Sequence, residues 1–132
     1  MTTYSDLKKF IESFNAEFPR PNLNLTLGEL SPVVTDQMWQ NADKPGLYFL
    51  FDQTQKLLYI GKASFGSNIG VRIGERFSSK DCSCIDPRFE AVTCLATIAL
   101  PRDRAFEAPS IEEFLISHIK PQLNTIGVTK GN

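Results

Sequence analysis

The chain has little excess of either charge. Its 132 residues include 14 basic and 15 acidic side chains, which gives a formal net charge of −1. A protein that coats nucleic acid without sequence preference is normally strongly basic, because its phosphate contacts come from lysine and arginine. Any binding of nucleic acid by this chain is therefore expected to be local and modest.

Long hydrophobic runs are also missing. No stretch of the sequence approaches the roughly 18 apolar residues that indicate a membrane-spanning helix. Residues 1–6 show no basic patch followed by an apolar block, which is the pattern of a secretory signal. We therefore expect a cytoplasmic protein that has no membrane partner.

Cysteine and histidine are scarce. The three cysteines are Cys82, Cys84 and Cys94, and the only histidine is His118. An odd number of cysteines without a secretory signal favours free thiols in a reducing compartment. These four side chains are also an alternative set of zinc ligands, but Cys82 and Cys84 lack the two-residue gap of ordinary zinc knuckles. Inert thiols are the preferred interpretation.

The apolar content is that of one ordinary domain. Hydrophobic residues make up 42% of the chain and include 10 phenylalanines, which is enough for a core of its own. No linker composition, internal repeat or low-complexity tract divides the sequence. We therefore predict a single domain over residues 1–132, and no feature of the sequence indicates an oligomeric interface.

The N-terminal part, residues 1–44, is predicted to be a helix followed by an extension. Apolar residues recur at spacings of three and four over residues 5–18, with Ser5 as the expected N-cap. Residues 22–27 alternate between polar and apolar, which favours a short edge strand or an extended segment. Residues 30–34 are predicted to form a turn and a brief extended piece.

A β-hairpin is predicted in the middle of the chain. Two short runs rich in aromatic and branched residues, 46–51 and 57–61, flank the polar residues 53–56. A Gly/Ser-rich connection then leads to a short helix over residues 69–77.

The C-terminal part adds a strand and a helix. A third strand is predicted over residues 91–100, and the sequence around Ser110 indicates a capping box that opens a helix. Pro121 is expected to end this helix, and an extended tail follows. The order of elements predicts an α+β fold with a small three-stranded antiparallel sheet flanked by helices.

Polar side chains recur along the hairpin and the following helix. Each hairpin strand carries one tyrosine, Tyr48 or Tyr59, and the next helix carries Arg72 and Arg76. This placement predicts a polar cluster at one end of the sheet. The simpler alternatives are that both tyrosines are core aromatics and that Arg72 forms a surface ion pair with Glu112.

The ordered set of motifs resembles the GIY-YIG nuclease superfamily. The set consists of Gly46-Leu47-Tyr48, Tyr59-Ile60-Gly61, Lys62, Arg72, Glu112, Leu115-Ile116, Pro121 and Asn124. The resemblance covers residues 45–125, and the helix and extension in residues 1–44 lie outside it. It implies a metal-dependent endonuclease that hydrolyses phosphodiester bonds in DNA, with RNA as an alternative substrate.

The resemblance assigns the metal and the phosphate to two residues. Phosphodiester hydrolysis needs an activated water, an anchored phosphate and stabilisation of the departing oxyanion. Glu112 would be the single carboxylate ligand of Mg²⁺ or Mn²⁺, since hard cations choose oxygen and keep several waters. We choose Glu112 over Glu113, because Glu113 has an alternative role in the capping box. Arg72 would bind the scissile phosphate.

The other implied site residues surround these two. Tyr48 would position the attacking water or accept its proton, either as a tyrosinate or through a network, and Tyr59 would hydrogen-bond near the same phosphate. Asn124 would brace the cluster, or would simply cap a turn after the helix. Lys62 and Arg76 are expected to contact the substrate.

Arg76 stands where the family commonly has tyrosine or histidine. An arginine cannot accept a proton at neutral pH. It is therefore expected either to add positive charge against phosphate or to lower the pKa of Tyr48. Two functions remain open: an active nuclease, and a weak or inactive member that binds nucleic acid or protein. A tyrosine-rich site for a small molecule is a third interpretation.

Overall fold

The computed structural model describes residues 1–77 and 85–124. Its helices are α1 (Tyr4–Glu17), α2 (Ile69–Gly74) and α3 (Ala108–Ile119), and its strands are β1 (Ser31–Pro32), β2 (Gly46–Phe51), β3 (Leu57–Ala63) and β4 (Cys94–Ala99). Two 3₁₀ helices cover Pro87–Phe89 and Arg102–Glu107. None of the helices in these two ranges is long and apolar enough to cross a membrane.

The strands form one antiparallel sheet in the order β1–β4–β2–β3. The predicted α+β class is therefore confirmed, but the sheet has four strands and not the predicted three. The added strand is β1, in which Ser31 pairs with Leu95. Pro32 has no N–H for a further neighbour, so this strand is suited to the edge of the sheet.

Residues 22–27, predicted as an edge strand or extended segment, form no strand. Their period-two pattern still corresponds to burial, because Leu25 and Leu27 both lie in the core. The alternation thus reports packing of an irregular segment and not pairing in a sheet.

The predicted hairpin is formed by β2 and β3. Every residue of β2 is buried, because this strand pairs with β3 on one side and β4 on the other. The loop between the arms is held by Asp52, whose carboxylate accepts hydrogen bonds from the N–H of Thr54 at 2.8 Å and of Lys56 at 3.1 Å. The polar loop residues therefore have a structural role.

The sheet separates two hydrophobic cores. On one face, Leu47, Phe49 and Phe51 pack with residues of α1 and α3. On the other face, Tyr48 and Leu50 pack with residues of α2. Residues 1–44 belong to the same fold as the rest of the chain, since α1 contributes to the first core and β1 to the sheet.

The start of α1 differs from the prediction. The N-cap is Thr3, not Ser5, and it forms a capping box with Asp6. The Thr3 Oγ1 accepts a hydrogen bond from the Asp6 N–H, and the Asp6 carboxylate accepts one from the Thr3 N–H. The stripe of apolar residues did not distinguish these two hydroxyl residues, which lie two positions apart.

The predicted capping box at Ser110 is wrong. The 3₁₀ helix Arg102–Glu107 runs directly into α3, so the N–H of Ala108 donates to the carbonyl of Ala105. Ser110 therefore lies inside the first turn, where its hydroxyl donates to the Glu107 carbonyl. Because α3 has no side-chain cap, Glu113 has no capping role.

Three other element boundaries differ from the prediction. Helix α2 ends at Gly74, and β4 begins only at Cys94 because the 3₁₀ helix Pro87–Phe89 precedes it. After α3, Lys120 adopts a left-handed conformation with a φ of 54°. The chain then makes a helical turn instead of an extended tail, and the Asn124 N–H donates to the Pro121 carbonyl at 3.1 Å.

Replacing Gly61 by alanine is expected to destabilise the fold. A Cβ at this position would lie 2.1 Å from Cζ of Tyr48 and 2.4 Å from its hydroxyl oxygen. Overpacking of this kind costs about 1–3 kcal/mol, and urea denaturation of Gly61→Ala measures it. Gly74→Ala is the control, because nothing lies within 4 Å of a Cβ there. Equal stability losses in both variants would contradict the close packing of Tyr48 on Gly61.

Candidate active site

Tyr48 lies in the centre of the sheet and is almost fully buried. Its side chain is 1% exposed, and Gly61 is its partner across the β2–β3 ladder. Burial, together with the neighbouring Tyr59, raises the pKa of Tyr48 to about 12, although Arg76 and Arg72 act in the opposite direction. The hydroxyl is therefore protonated at neutral pH. This environment disfavours the tyrosinate alternative and leaves positioning as the expected role of Tyr48.

Tyr59 lies beside Tyr48 on the same face of the sheet. The two ring centroids are 6.1 Å apart, and the Tyr59 ring also meets the Phe89 ring edge-on at 5.0 Å. The Tyr59 hydroxyl accepts a hydrogen bond of 3.3 Å from Nη2 of Arg76. The predicted pairing of two tyrosines with an arginine therefore exists, although this arginine is Arg76.

Arg76 is held between aromatic rings. Its guanidinium carbon lies 5.1 Å from the Phe89 ring centroid and 5.6 Å from that of Tyr59, and Nη1 is 3.9 Å from the Asp86 carboxylate. Burial opposes its charge, but the two tyrosine hydroxyls outweigh burial and raise the pKa of Arg76 further. Arg76 therefore stays cationic. Its predicted lowering of the Tyr48 pKa is present but weaker than the effect of burial.

Arg72 lies on α2, the helix that packs on the tyrosine face of the sheet. Its Nε is 3.5 Å from the Glu75 carboxylate, and the side chain is 36% exposed. The positive charge of Arg72 lowers the pKa of both Tyr48 and Glu112. The simple ion pair between Arg72 and Glu112 is not formed, since the only ion pair of Arg72 within the described residues is with Glu75.

Glu112 projects from α3 on the other side of the sheet. Burial raises the pKa of this half-buried carboxyl, while Lys62 and Arg72 lower it. Lys62 pairs with Leu47 in the ladder, which places it on the α3 face, whereas Tyr48 and Gly61 share the α2 face. No hydrogen bond or ion pair within 4 Å joins Glu112 to another residue of ranges 1–77 and 85–124. Glu113, by contrast, is exposed.

Asn124 braces the edge strand. Its Oδ1 accepts a hydrogen bond from the Ile60 N–H at 2.8 Å, and its Nδ2 donates to the Ile60 carbonyl at 2.9 Å. The oxygen and the nitrogen of the Asn124 side-chain amide therefore both bond to Ile60, the residue between Tyr59 and Gly61. Asn124 thus holds the backbone of β3 beside Tyr59, and its own N–H also closes the turn that begins at Pro121. A role of Asn124 in the site stays a prediction.

The described residues contain no multidentate metal site, since no group of three or more histidine, cysteine, aspartate or glutamate side chains that could hold a metal ion is present among them. A hard cation such as Mg²⁺ needs only one or two carboxylates, because it keeps several of its waters. Glu112, whose side chain has no hydrogen-bonding partner among those residues, is compatible with such a single-carboxylate contact.

The zinc alternative receives no support from its described members. Cys82 and Cys84 lie outside the described residues, and Cys94 is a free, partly buried thiol. The ring of His118 stacks on Phe114 with centroids 4.1 Å apart, and its Nδ1 is 2.9 Å from the Phe114 carbonyl oxygen. His118 is thus engaged with its own helix.

Two site residues had no signal in the sequence. Phe89 and Asp86 hold Arg76, the first through its ring face and the second through its charge. Both come from the segment around the 3₁₀ helix Pro87–Phe89, which no apolar periodicity marks. Only the Asp-Pro pair at residues 86–87 indicated a turn at this position.

Comparison of the chain with protein-family models, with curated proteins and with solved structures finds no match. The site is therefore characterised by its own geometry. It combines a neutral buried tyrosine, a second tyrosine, two arginines and a half-buried carboxylate, and Arg72 acts electrostatically on both halves.

The stability of the protein is expected to fall between pH 10 and pH 12 because of Tyr48. In the unfolded chain this hydroxyl ionises near pH 10, whereas in the fold its pKa is about 12. The contribution of the neutral hydroxyl to the free energy of unfolding is complete below pH 10. It is lost as the pH rises through 12, and the loss is about 3 kcal/mol. Denaturation at pH 9 and pH 12 should therefore show a larger drop for the parent protein than for Tyr48→Phe. An equal drop would contradict the buried, neutral state.

Proposed function

We propose that this protein is a metal-dependent endonuclease of the GIY-YIG type, which hydrolyses phosphodiester bonds in DNA. The observation that carries the proposal is that the charge of Arg72, on the helix that packs against the tyrosine face of the sheet, reaches both halves of the cluster. It lowers the pKa of the Tyr48 hydroxyl and that of the Glu112 carboxyl. A phosphate bound at Arg72 would therefore be within electrostatic reach of a hydroxyl cluster and a carboxylate, as phosphodiester hydrolysis needs.

Glu112 is the proposed ligand for Mg²⁺ or Mn²⁺. Such an ion, when bound, supplies Lewis acidity and an activated water. Glu112 is half-buried and its pKa is raised by that burial, which means that a carboxylate is held there with too little compensating charge. A divalent cation would supply the missing charge. Lys62 and Arg72, the two nearby cations that act on Glu112, are then available for phosphate.

The tyrosines position groups and do not act as bases. The Tyr48 hydroxyl stays protonated at neutral pH, so its proton is available for donation. Asn124 and Gly61 fix the segment of β3 that carries Tyr59. The cations Lys62 and Arg72 both act on Glu112, which agrees with local binding of DNA by a chain whose net charge is only −1.

A second candidate function is binding of nucleic acid or protein without efficient cleavage. One observation favours it: neither Tyr48, with its pKa of about 12, nor Arg76 accepts a proton at neutral pH. Activation of the water would then depend on the metal alone. Where the ligand is nucleic acid, the two candidates share the same phosphate contacts and differ in the rate of cleavage.

Nicking of supercoiled plasmid DNA in Mg²⁺ or Mn²⁺ tests the nuclease. Glu112→Gln keeps the volume of the side chain but removes the metal ligand, and Arg72→Gln removes the phosphate contact. Each is expected to reduce the nicking rate by about 100-fold or more, because each removes charge stabilisation at the reacting group. Glu113→Gln is the matched control, since Glu113 is the exposed neighbour of Glu112, and it should nick at the parent rate.

Cleavage that survives both Glu112→Gln and Arg72→Gln would refute the proposed site. DNA binding without cleavage, over a range of metals and substrates, would select the second candidate. A protein that fails to bind DNA even at low salt would exclude the nuclease and leave only a role in protein interaction.

A further inference from the structure

Arg76 is a largely buried cation that is weakly paired within the part of the chain that the structure describes. Its side chain is only 19% exposed, and a guanidinium carries five N–H donors. Its Nη2 donates to the neutral Tyr59 hydroxyl at 3.3 Å, and its Nη1 forms a long ion pair of 3.9 Å with Asp86. Its Nε is buried and has no hydrogen-bonding partner. A buried cation with so distant a carboxylate is costly unless a closer anion joins it.

Arg72, four residues earlier, also has a guanidinium nitrogen that lacks a hydrogen bond within the described residues. Its Nε is also buried without a hydrogen-bonding partner, and its ion pair with Glu75 is long at 3.5 Å. Arg72 is carried by α2, which packs in the same core as Tyr48 and Tyr59, and Arg76 follows two residues after the end of that helix. The charges of both guanidiniums also act on the Tyr48 hydroxyl. Both positive charges are therefore on the tyrosine face of the sheet.

We propose that Arg72 and Arg76, together with the Tyr59 hydroxyl, form a phosphate-binding site that works without a metal ion. Phosphate oxygens match the planar guanidinium fork, which makes two parallel hydrogen bonds. Arg76 is the specificity-determining residue, because it adds a second guanidinium to the single arginine that the nuclease proposal requires. Tyr48 is a positioning residue here, since its side chain is buried and its ring lies beside that of Tyr59.

The charge of this site favours a doubly charged phosphate. A phosphate monoester carries a charge of about −1.5 to −2 at pH 7, whereas a diester inside a strand carries one negative charge. Two guanidiniums whose carboxylate neighbours lie at 3.5 and 3.9 Å complement the monoester better. The inference deepens the proposed nuclease function and rests on it for the identity of the substrate. A phosphate at a strand end and one inside a strand are the two sources that the test separates.

Phosphate binding is measured in EDTA, at constant ionic strength, by titrating the protein with inorganic phosphate in a calorimeter. Arg76→Gln is expected to weaken binding by about 10- to 100-fold, the effect of one charged hydrogen bond. Arg76→Lys keeps the positive charge but lacks the planar guanidinium with its parallel donors. Its phosphate affinity should therefore lie between that of the parent protein and that of Arg76→Gln. Arg88→Gln is the matched control, because Arg88 also contacts Asp86 and the Phe89 ring but is half-exposed. It should bind phosphate as the parent protein does.

Equal affinity of Arg76→Gln and the parent protein would overturn the inference, as would the absence of phosphate binding by the parent protein. If Arg76→Gln does not fold, the phosphate affinity of Arg76→Lys is the test instead. An affinity of Arg76→Lys equal to that of the parent protein would overturn the role of the guanidinium geometry. A second titration compares the same short oligonucleotide with a 5′-phosphate and with a 5′-hydroxyl. Tighter binding of the phosphorylated strand supports the strand end, and equal binding overturns the preference for it.

The titration contains no metal and no cleavage step, so its result is independent of the nicking assay. Phosphate binding that needs Arg76, in a protein that never nicks DNA, would retain this inference and refute the nuclease. Nicking that needs Glu112 and Arg72 but is unchanged in Arg76→Gln, with unchanged phosphate affinity, would retain the nuclease and refute this inference.

Discussion

The contact between the Tyr48 ring and the backbone at Gly61 determines the geometry of the site. Any larger residue at position 61 would meet the Tyr48 ring at 2.1 Å. The ring is thereby packed closely against β3. Asn124 holds the neighbouring residue of the same strand, Ile60, through both ends of its amide. The strand on which the Tyr48 ring packs is therefore itself held by a segment distant in sequence.

Burial and charge act against each other throughout this site. Burial raises the pKa of Tyr48 and that of Glu112, and the cations Arg72, Arg76 and Lys62 only partly offset it. Both acidic groups are therefore held with less positive charge than their ionised forms require. A bound divalent cation and a bound phosphate would satisfy the carboxylate and the arginines respectively. The same imbalance is what makes this cluster a candidate functional site and not an ordinary core.

The sequence identified the elements whose signals are local. The hairpin, α1 and the tyrosine–arginine cluster follow from residue spacing, because alternation and helical periodicity directly reflect which side chains are buried. Strand β1 lies within the brief extended piece predicted over residues 30–34, but its place in the sheet could not be recognised, since it depends on pairing with β4. The role of Asp86 and Phe89 was equally hidden, because they reach Arg76 through tertiary packing. The assumed cap at Ser110 failed because the 3₁₀ helix before α3 already supplies the carbonyl groups.

The position of a bound Mn²⁺ ion tests most directly whether the two halves of this cluster form one metal-dependent site. Anomalous diffraction from crystals soaked in Mn²⁺ locates the ion without any assumption about activity. The proposed site predicts a peak in contact with the Glu112 carboxylate, on the side that faces Arg72. A peak at Glu113 or elsewhere, or no peak at Glu112 in saturating Mn²⁺, would contradict it.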